Sequence, residues 1–120
     1  MTDYLDRMSK FASEVTYEDI DENVKESARN VIMDTIGAIL GGSRLPENGN
    51  LARLVNNNLE HGTATIIGHT FKASPMMATL ANATAGVCLE MDEGTRLGGG
   101  HPAIHILPGV LSVAEEMGMG

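Results

Sequence analysis

Between residues 89 and 102 the chain reads Leu-Glu-Met-Asp-Glu-Gly-Thr-Arg-Leu-Gly-Gly-Gly-His-Pro. Three carboxylates, Glu90, Asp92 and Glu93, close a strongly apolar stretch, and in a helix they would fall at the carboxyl end, where the dipole disfavours negative charge. Such an arrangement costs stability and suggests a use. Crowded carboxylates at a partly buried helix end can have raised pKa values, which makes them competent acids or bases near neutral pH. His101 adds a group that titrates in that range unaided, and Gly98 to Gly100 would let the chain fold back so that the imidazole meets the acids.

Blander readings of the same residues stand beside this one. Acids that end a helix are often only solvated, and a His before Pro is often a turn residue. Carboxylates with one imidazole would also suit Mg²⁺ or Mn²⁺, but no Cys-x-x-Cys spacing fixes a metal site, and no metal is expected. His61, His69 and His105 lack comparable company and read as surface or core filling. Cys88 is the single cysteine. It cannot form an internal disulfide, which agrees with a reducing compartment, and it reads as a small buried hydrophobe.

These groups need elements to hold them. After Thr2-Asp3, apolar residues Leu5, Met8, Phe11 and Val15 recur at helical spacing and predict a first helix of about three turns. A stronger pattern from Val24 to Leu40, preceded by Asp19, Asp21 and Glu22 and stopped by Gly41-Gly42, predicts a helix over about 20–40. Gly37 inside it is either a close helix crossing or a tolerated flaw. Pro46 to Asn50 punctuates the chain, and Leu51, Leu54, Val55 and Leu59 mark a third helix closed by His61-Gly62.

Ala64 to Gly68 suits a short strand, with Thr70 to Lys72 as its hairpin partner. Ser74-Pro75 starts a fourth helix that runs to about Met91. Its small residues Ala78, Ala81, Ala85 and Gly86 allow close approach of neighbours, and Leu80, Val87 and Leu89 make it apolar around much of its girth. A fifth helix is expected from about Ile106 to Met117, with Pro108 in its first turn. The fold class is therefore mainly α: about five helices with a minor two-stranded β ribbon.

Composition narrows the partners. With 42% hydrophobic and 20% charged residues over 120 positions the chain is globular rather than disordered. Sixteen acids against eight bases give a net charge of −8, which repels phosphate backbones and anionic lipid, so neither nucleic acid nor membrane is an expected partner. The start is polar and acidic, unlike a secretory signal, and no apolar run is long enough to span a bilayer. A cytoplasmic location is expected. The same charge balance leaves few cations to hold an anionic substrate, so those would have to come from elsewhere.

Glu90-Met91-Asp92-Glu93-Gly94-Thr95-Arg96 followed by His101-Pro102 resembles a motif of the MmgE/PrpD family, which includes 2-methylcitrate dehydratase and cis-aconitate decarboxylase. There a helix rich in Ala and Asn runs into Asp-Phe-Asp-Asp-Thr, or in one subgroup Glu-Leu-Asp-Asp-Gly-His-Arg, and then into His-Pro and an apolar helix. Asp34-Thr35-Ile36-Gly37 with Gly41-Gly42 resembles the family's first long helix, and Ala64-Thr65-Ile66-Ile67-Gly68 its short strand. Thr95 stands where the similar subgroup has His, and Glu93 where it has Asp.

The resemblance implies a lyase or isomerase of the dehydratase or decarboxylase type that needs no cofactor and acts on a small di- or tricarboxylate by proton transfer next to a carboxylate. It places His101, Asp92 and Glu90 in catalytic positions and Thr95 and Arg96 in substrate-binding ones. It also implies that residues 1–120 form the amino-terminal portion of a larger helical domain, without the lid domain that supplies further pocket residues. The chain alone is then expected to be inactive and to work as a homo-oligomer or with a complementary carboxyl-terminal chain. The rival expectation is a non-catalytic helical module that associates with a second polypeptide, its acids a solvated edge.

Overall fold

The computed structural model describes residues 2–58, 62–96 and 98–119. Among them are five helices, α1 (Thr2–Glu14), α2 (Glu22–Gly42), α3 (Pro46–Asn58), α4 (Pro75–Val87) and α5 (Pro102–Glu116), and two strands, β1 (Ala64–Thr65) and β2 (Lys72–Ala73). The fold is mainly α, as the apolar spacing implies. Leu59 and His61, expected to close α3, lie outside the described residues.

The chain divides into two compact units, Met1–Asn30 and Val31–Gly120, with the boundary inside α2. In the first unit the turn between helices is held locally. Asp19 Oδ2 accepts hydrogen bonds from the Thr16 amide at 3.0 Å and the Thr16 hydroxyl at 2.8 Å. These donors favour the carboxylate and lower the Asp19 pKa. Asp21 Oδ1 takes the Asn23 amide at 2.8 Å and so caps the start of α2. Lys25 sits over the Tyr17 ring, 4.4 Å from its centroid. The side chains that gave α1 its helical spacing, Leu5, Met8 and Phe11, are exposed in this unit.

In the second unit α4 packs against α3, α5 and both strands, and its small residues explain why. Ala78, Ala81 and Ala85 are buried in the core with Ala52, Val55, Ile66 and Ile104. A Cβ on Gly86 would run into the Ile104 side chain, and one on Gly42 would overlap the Ala85 carbonyl and lie 2.6 Å from Cys88 Sγ. The close crossing therefore belongs to Gly42, whereas a Cβ at Gly37 would meet nothing within 4 Å. On α4, Met76, Leu80 and Val87 are exposed, so the described elements cover its alanine face and leave part of its apolar girth open.

The ribbon is shorter than expected, pairing Ala64 with Ala73 and Thr65 with Lys72 in antiparallel register. Helices and side chains support it. Asn82, buried in α4, accepts the Ile67 amide on Oδ1 at 2.9 Å and donates Nδ2 to the Thr65 carbonyl at 2.9 Å. From the far end of α5, Glu115 accepts the Thr65 amide and hydroxyl, and Glu116 accepts those of Thr63. The Thr65 donors, with Lys72 adding a weaker attraction, hold the Glu115 pKa below the ordinary carboxylate value.

Two helix starts are earlier than expected, and proline is the reason for both. Pro46 and Pro102 each occupy the first helical position, where no amide donor is needed and φ is already suitable. Pro46 thus opens α3 rather than punctuating the chain before it, and Pro108 falls inside α5 rather than in its first turn. No described helix is long and apolar enough to cross a membrane.

Candidate functional site

The site lies in the second unit, where the chain leaves α4 and returns to start α5. Helix α4 ends at Val87 rather than near Met91, capped by Cys88, and the Glu90 amide then bonds the Val87 carbonyl at 3.1 Å. Glu90 has φ 52°, the one non-glycine in the left-handed region among the described residues. That conformation costs a side-chain-bearing residue about 1–2 kcal/mol. It swings the chain off the helix so that Asp92 and Glu93 lie beside His101 rather than on the α4 axis.

His101 Nδ1 donates to the Glu93 carbonyl at 2.8 Å, with the Asp92 carbonyl and Asp92 Oδ2 each at 3.3 Å. The Asp92 side chain is 4% exposed while that of His101 is 45% exposed, so the carboxylate is shielded and the ring keeps an open edge. Carbonyl oxygens can only accept, so they fix the proton of the neutral ring on Nδ1. Nε2 is left as the basic nitrogen. The same acceptors favour the imidazolium, and the His101 pKa is raised. The Glu93 carbonyl contributes most, then the Asp92 carbonyl, then the Asp92 carboxylate, with Glu90 the smallest contributor.

Glu93 also acts through its side chain. Its Oε2 accepts the Ala103 amide at 3.1 Å, one of the unpaired donors in the first turn of α5. His101 stands at the N-cap position of that helix yet makes no side-chain cap, because its ring is turned to the carbonyls. Glu93 supplies the cap in its place. The Gly-rich segment does fold back: the Thr95 amide bonds the Gly100 carbonyl at 3.0 Å and the Gly99 amide bonds the Thr95 carbonyl at 3.1 Å. Gly99 and Gly100 have φ of 68° and 89°, which only glycine adopts without strain.

The residues singled out from the sequence therefore separate. Asp92 and His101 are brought together. Glu90 is exposed and reaches His101 only through its charge. Thr95 closes the loop with its backbone, and Arg96 is exposed on it. Glu93, noted in the sequence as one of three crowded carboxylates, makes two of the contacts that define the site. The signal that could have found it is its position ten residues before the second residue of a helix started by Pro102. Among the described residues no three His, Cys, Asp or Glu side chains converge to hold a metal ion. Cys88 is exposed rather than buried, with its sulfur hydrogen bonded to Asn48 Nδ2 at 3.1 Å and to the Ala85 carbonyl at 2.9 Å.

Comparison with known proteins gives consistent results. The family described as the MmgE/PrpD N-terminal domain matches residues 6–120. The cis-aconitate decarboxylase-like protein oryM of Aspergillus oryzae is 24% identical over 113 residues, which are 94% of this chain and 23% of that protein. The cis-aconitate decarboxylase of Aspergillus terreus is 27% identical over 107 residues, 89% of this chain and 22% of that protein. The chain thus spans less than a quarter of the length of these curated relatives.

Proposed function

The chain belongs to the MmgE/PrpD family through its N-terminal domain, and on that premise we propose that it contributes the proton-transfer side of a lyase site acting on a small di- or tricarboxylate. The observation that carries the reading is the fixed ring of His101. With Nδ1 held by two carbonyls and a shielded carboxylate, Nε2 takes a proton when the ring is neutral and gives one when it is charged. In a decarboxylation the carbon that loses carbon dioxide keeps the bonding electrons, and His101 Nε2–H protonates the resulting carbanion or its enolate. In a dehydration the neutral Nε2 removes the proton beside the carboxylate as hydroxide leaves. Asp92 orients the ring and stabilises its charged form, and Glu90 adds negative potential from further away.

A net charge of −8 leaves the substrate's carboxylates to be held by cations from another part of the enzyme, with Thr95 and Arg96 as local contacts. The active species is a cytoplasmic assembly, either homo-oligomeric or completed by a carboxyl-terminal chain. The rival reading is a non-catalytic helical module whose partner polypeptide would cover Leu80, Ile106, Val110 and Val113, exposed on α4 and α5. Both readings need those faces covered, so exposure alone does not separate them.

The test is to assay citrate, 2-methylcitrate and cis-aconitate with the chain alone, and again after co-expression with the carboxyl-terminal remainder of the A. terreus relative. The proposal expects no turnover by the chain alone and turnover of at least one compound by the assembly. A stable assembly that turns over none of them supports the non-catalytic module, and a chain that is active unaided contradicts the division of the site.

A further inference from the structure

Helix α5 begins at a strict spacing from the ring that precedes it, and one side chain links the two. Pro102 has no amide hydrogen, and the first amide of α5 that needs a partner is that of Ala103. An ordinary N-cap side chain would serve it from position 101, but His101 is engaged with the Asp92 and Glu93 carbonyls. The acceptor comes instead from Glu93 Oε2 at 3.1 Å, where negative charge also suits the helix dipole. One residue therefore binds on both sides of His101: its backbone carbonyl bonds the ring, and its carboxylate bonds the helix that carries the ring.

We propose that Glu93 is the positioning residue of this site, its carboxylate locking the loop to α5 so that its own carbonyl and that of Asp92 stay against Nδ1 of His101. The proposal rests on the reading of His101 as the proton-transfer group, and it assigns Glu93 no contact with substrate. The length of the side chain matters. An aspartate with its backbone in the same place falls one methylene short of the Ala103 amide, whereas glutamine keeps both the reach and the acceptor oxygen. Among the described residues of the loop, Thr95 and Gly100 bond each other through the backbone and only Asp92 and Glu93 bond the ring. The charged groups acting on the ring are Asp92, in contact, and Glu90, further off.

The test uses ring nitrogen NMR of His101 in the whole chain, which reads tautomer and titration together and needs no turnover. The unsubstituted chain should show the Nδ1–H tautomer when neutral and a midpoint above the ordinary value. In Glu93→Ala and Glu93→Asp the signals should move toward the ordinary tautomer mixture and the midpoint should fall, while Glu93→Gln retains the Nδ1–H tautomer. Asp92→Asn should lower the midpoint without changing the tautomer, which separates charge from positioning. A residue with only a stabilising role would lower the melting temperature and leave the tautomer untouched. If Glu93→Ala does not fold, Glu93→Asp against Glu93→Gln carries the comparison. An unchanged Nδ1–H tautomer in the folded Ala variant, or in Glu93→Asp where that one does not fold, would overturn the proposal. Full turnover by a His101→Ala assembly would remove the catalytic reading and leave these NMR results standing, so the two failures are distinguishable.

Discussion

Asn82 bridges α4 and the ribbon as an extra peptide group would, and its removal should be felt well beyond one side chain. The residue is 2% exposed, and its two amide bonds to Ile67 N and Thr65 O are both 2.9 Å long. Asn82→Ala leaves one backbone donor and one acceptor without partners, each costing about 1–3 kcal/mol when buried. Thr65 and Ile67 are only half-buried, so water recovers part of that cost and a total of about 2–4 kcal/mol is expected. Against the ~5–15 kcal/mol that holds an ordinary domain together, this is a large fraction. Urea unfolding followed by far-UV circular dichroism should show a lower midpoint with the slope little changed. The Ile67 amide should exchange roughly 100-fold faster, as a loss near 3 kcal/mol requires. Asn82→Asp, which keeps the acceptor for Ile67 but faces the Thr65 carbonyl with a carboxylate, should be at least as damaging. A loss below about 1 kcal/mol in Asn82→Ala would refute the idea that this amide carries the ribbon.

Gly42→Ala should destabilise by about 1–3 kcal/mol or more, because its Cβ meets backbone at Ala85. Gly37→Ala, where the space is open, should stabilise by up to about 1 kcal/mol, and thermal melts in the reverse order would contradict the packing described. Ser112 has a buried hydroxyl without a hydrogen-bond partner among the described residues, so Ser112→Ala should be neutral or stabilising in the same melts, and a clear loss would expose a missed partner. The Glu115 carboxyl has a lowered pKa in the fold. Its contribution is fully present above the ordinary value of 4.5 and is lost as pH falls through the lower folded value. Glu115→Gln should therefore flatten the acid limb of stability against pH, and an unchanged slope would show that the Thr65 bonds contribute nothing.

Much of this arrangement is legible in the sequence, and the exceptions have physical causes. The helical spacing from Val24 to Leu40 and the Ser74-Pro75 start identify α2 and α4 because apolar spacing and a proline at the first helical position are local signals, although Ser74 makes no side-chain cap. The same local reading places α3 and α5 several residues late, since Pro46 and Pro102 can be taken as breaks or as first helical residues. Only the surrounding chain decides between them. His101 and Asp92 are recognisable as chemistry-bearing residues from type and spacing. The contacts of Glu93 with the ring and with α5 are not, because they depend on the direction in which the chain leaves α4, and that is set by the left-handed turn at Glu90. The clamp of Glu115 and Glu116 on Thr65 and Thr63 joins residues about fifty positions apart, and no periodicity in the sequence records it.

Proton transfer by His101 would be lost in His101→Ala, prepared in the assembly formed with the carboxyl-terminal remainder of the A. terreus relative. Turnover of cis-aconitate and 2-methylcitrate would be measured beside the thermal midpoint of the same preparation. A loss of at least about 100-fold is expected, the lower end for a positioned acid or base, with the midpoint nearly unchanged because the ring is 45% exposed. Turnover equal to that of the unsubstituted assembly would contradict proton transfer by His101.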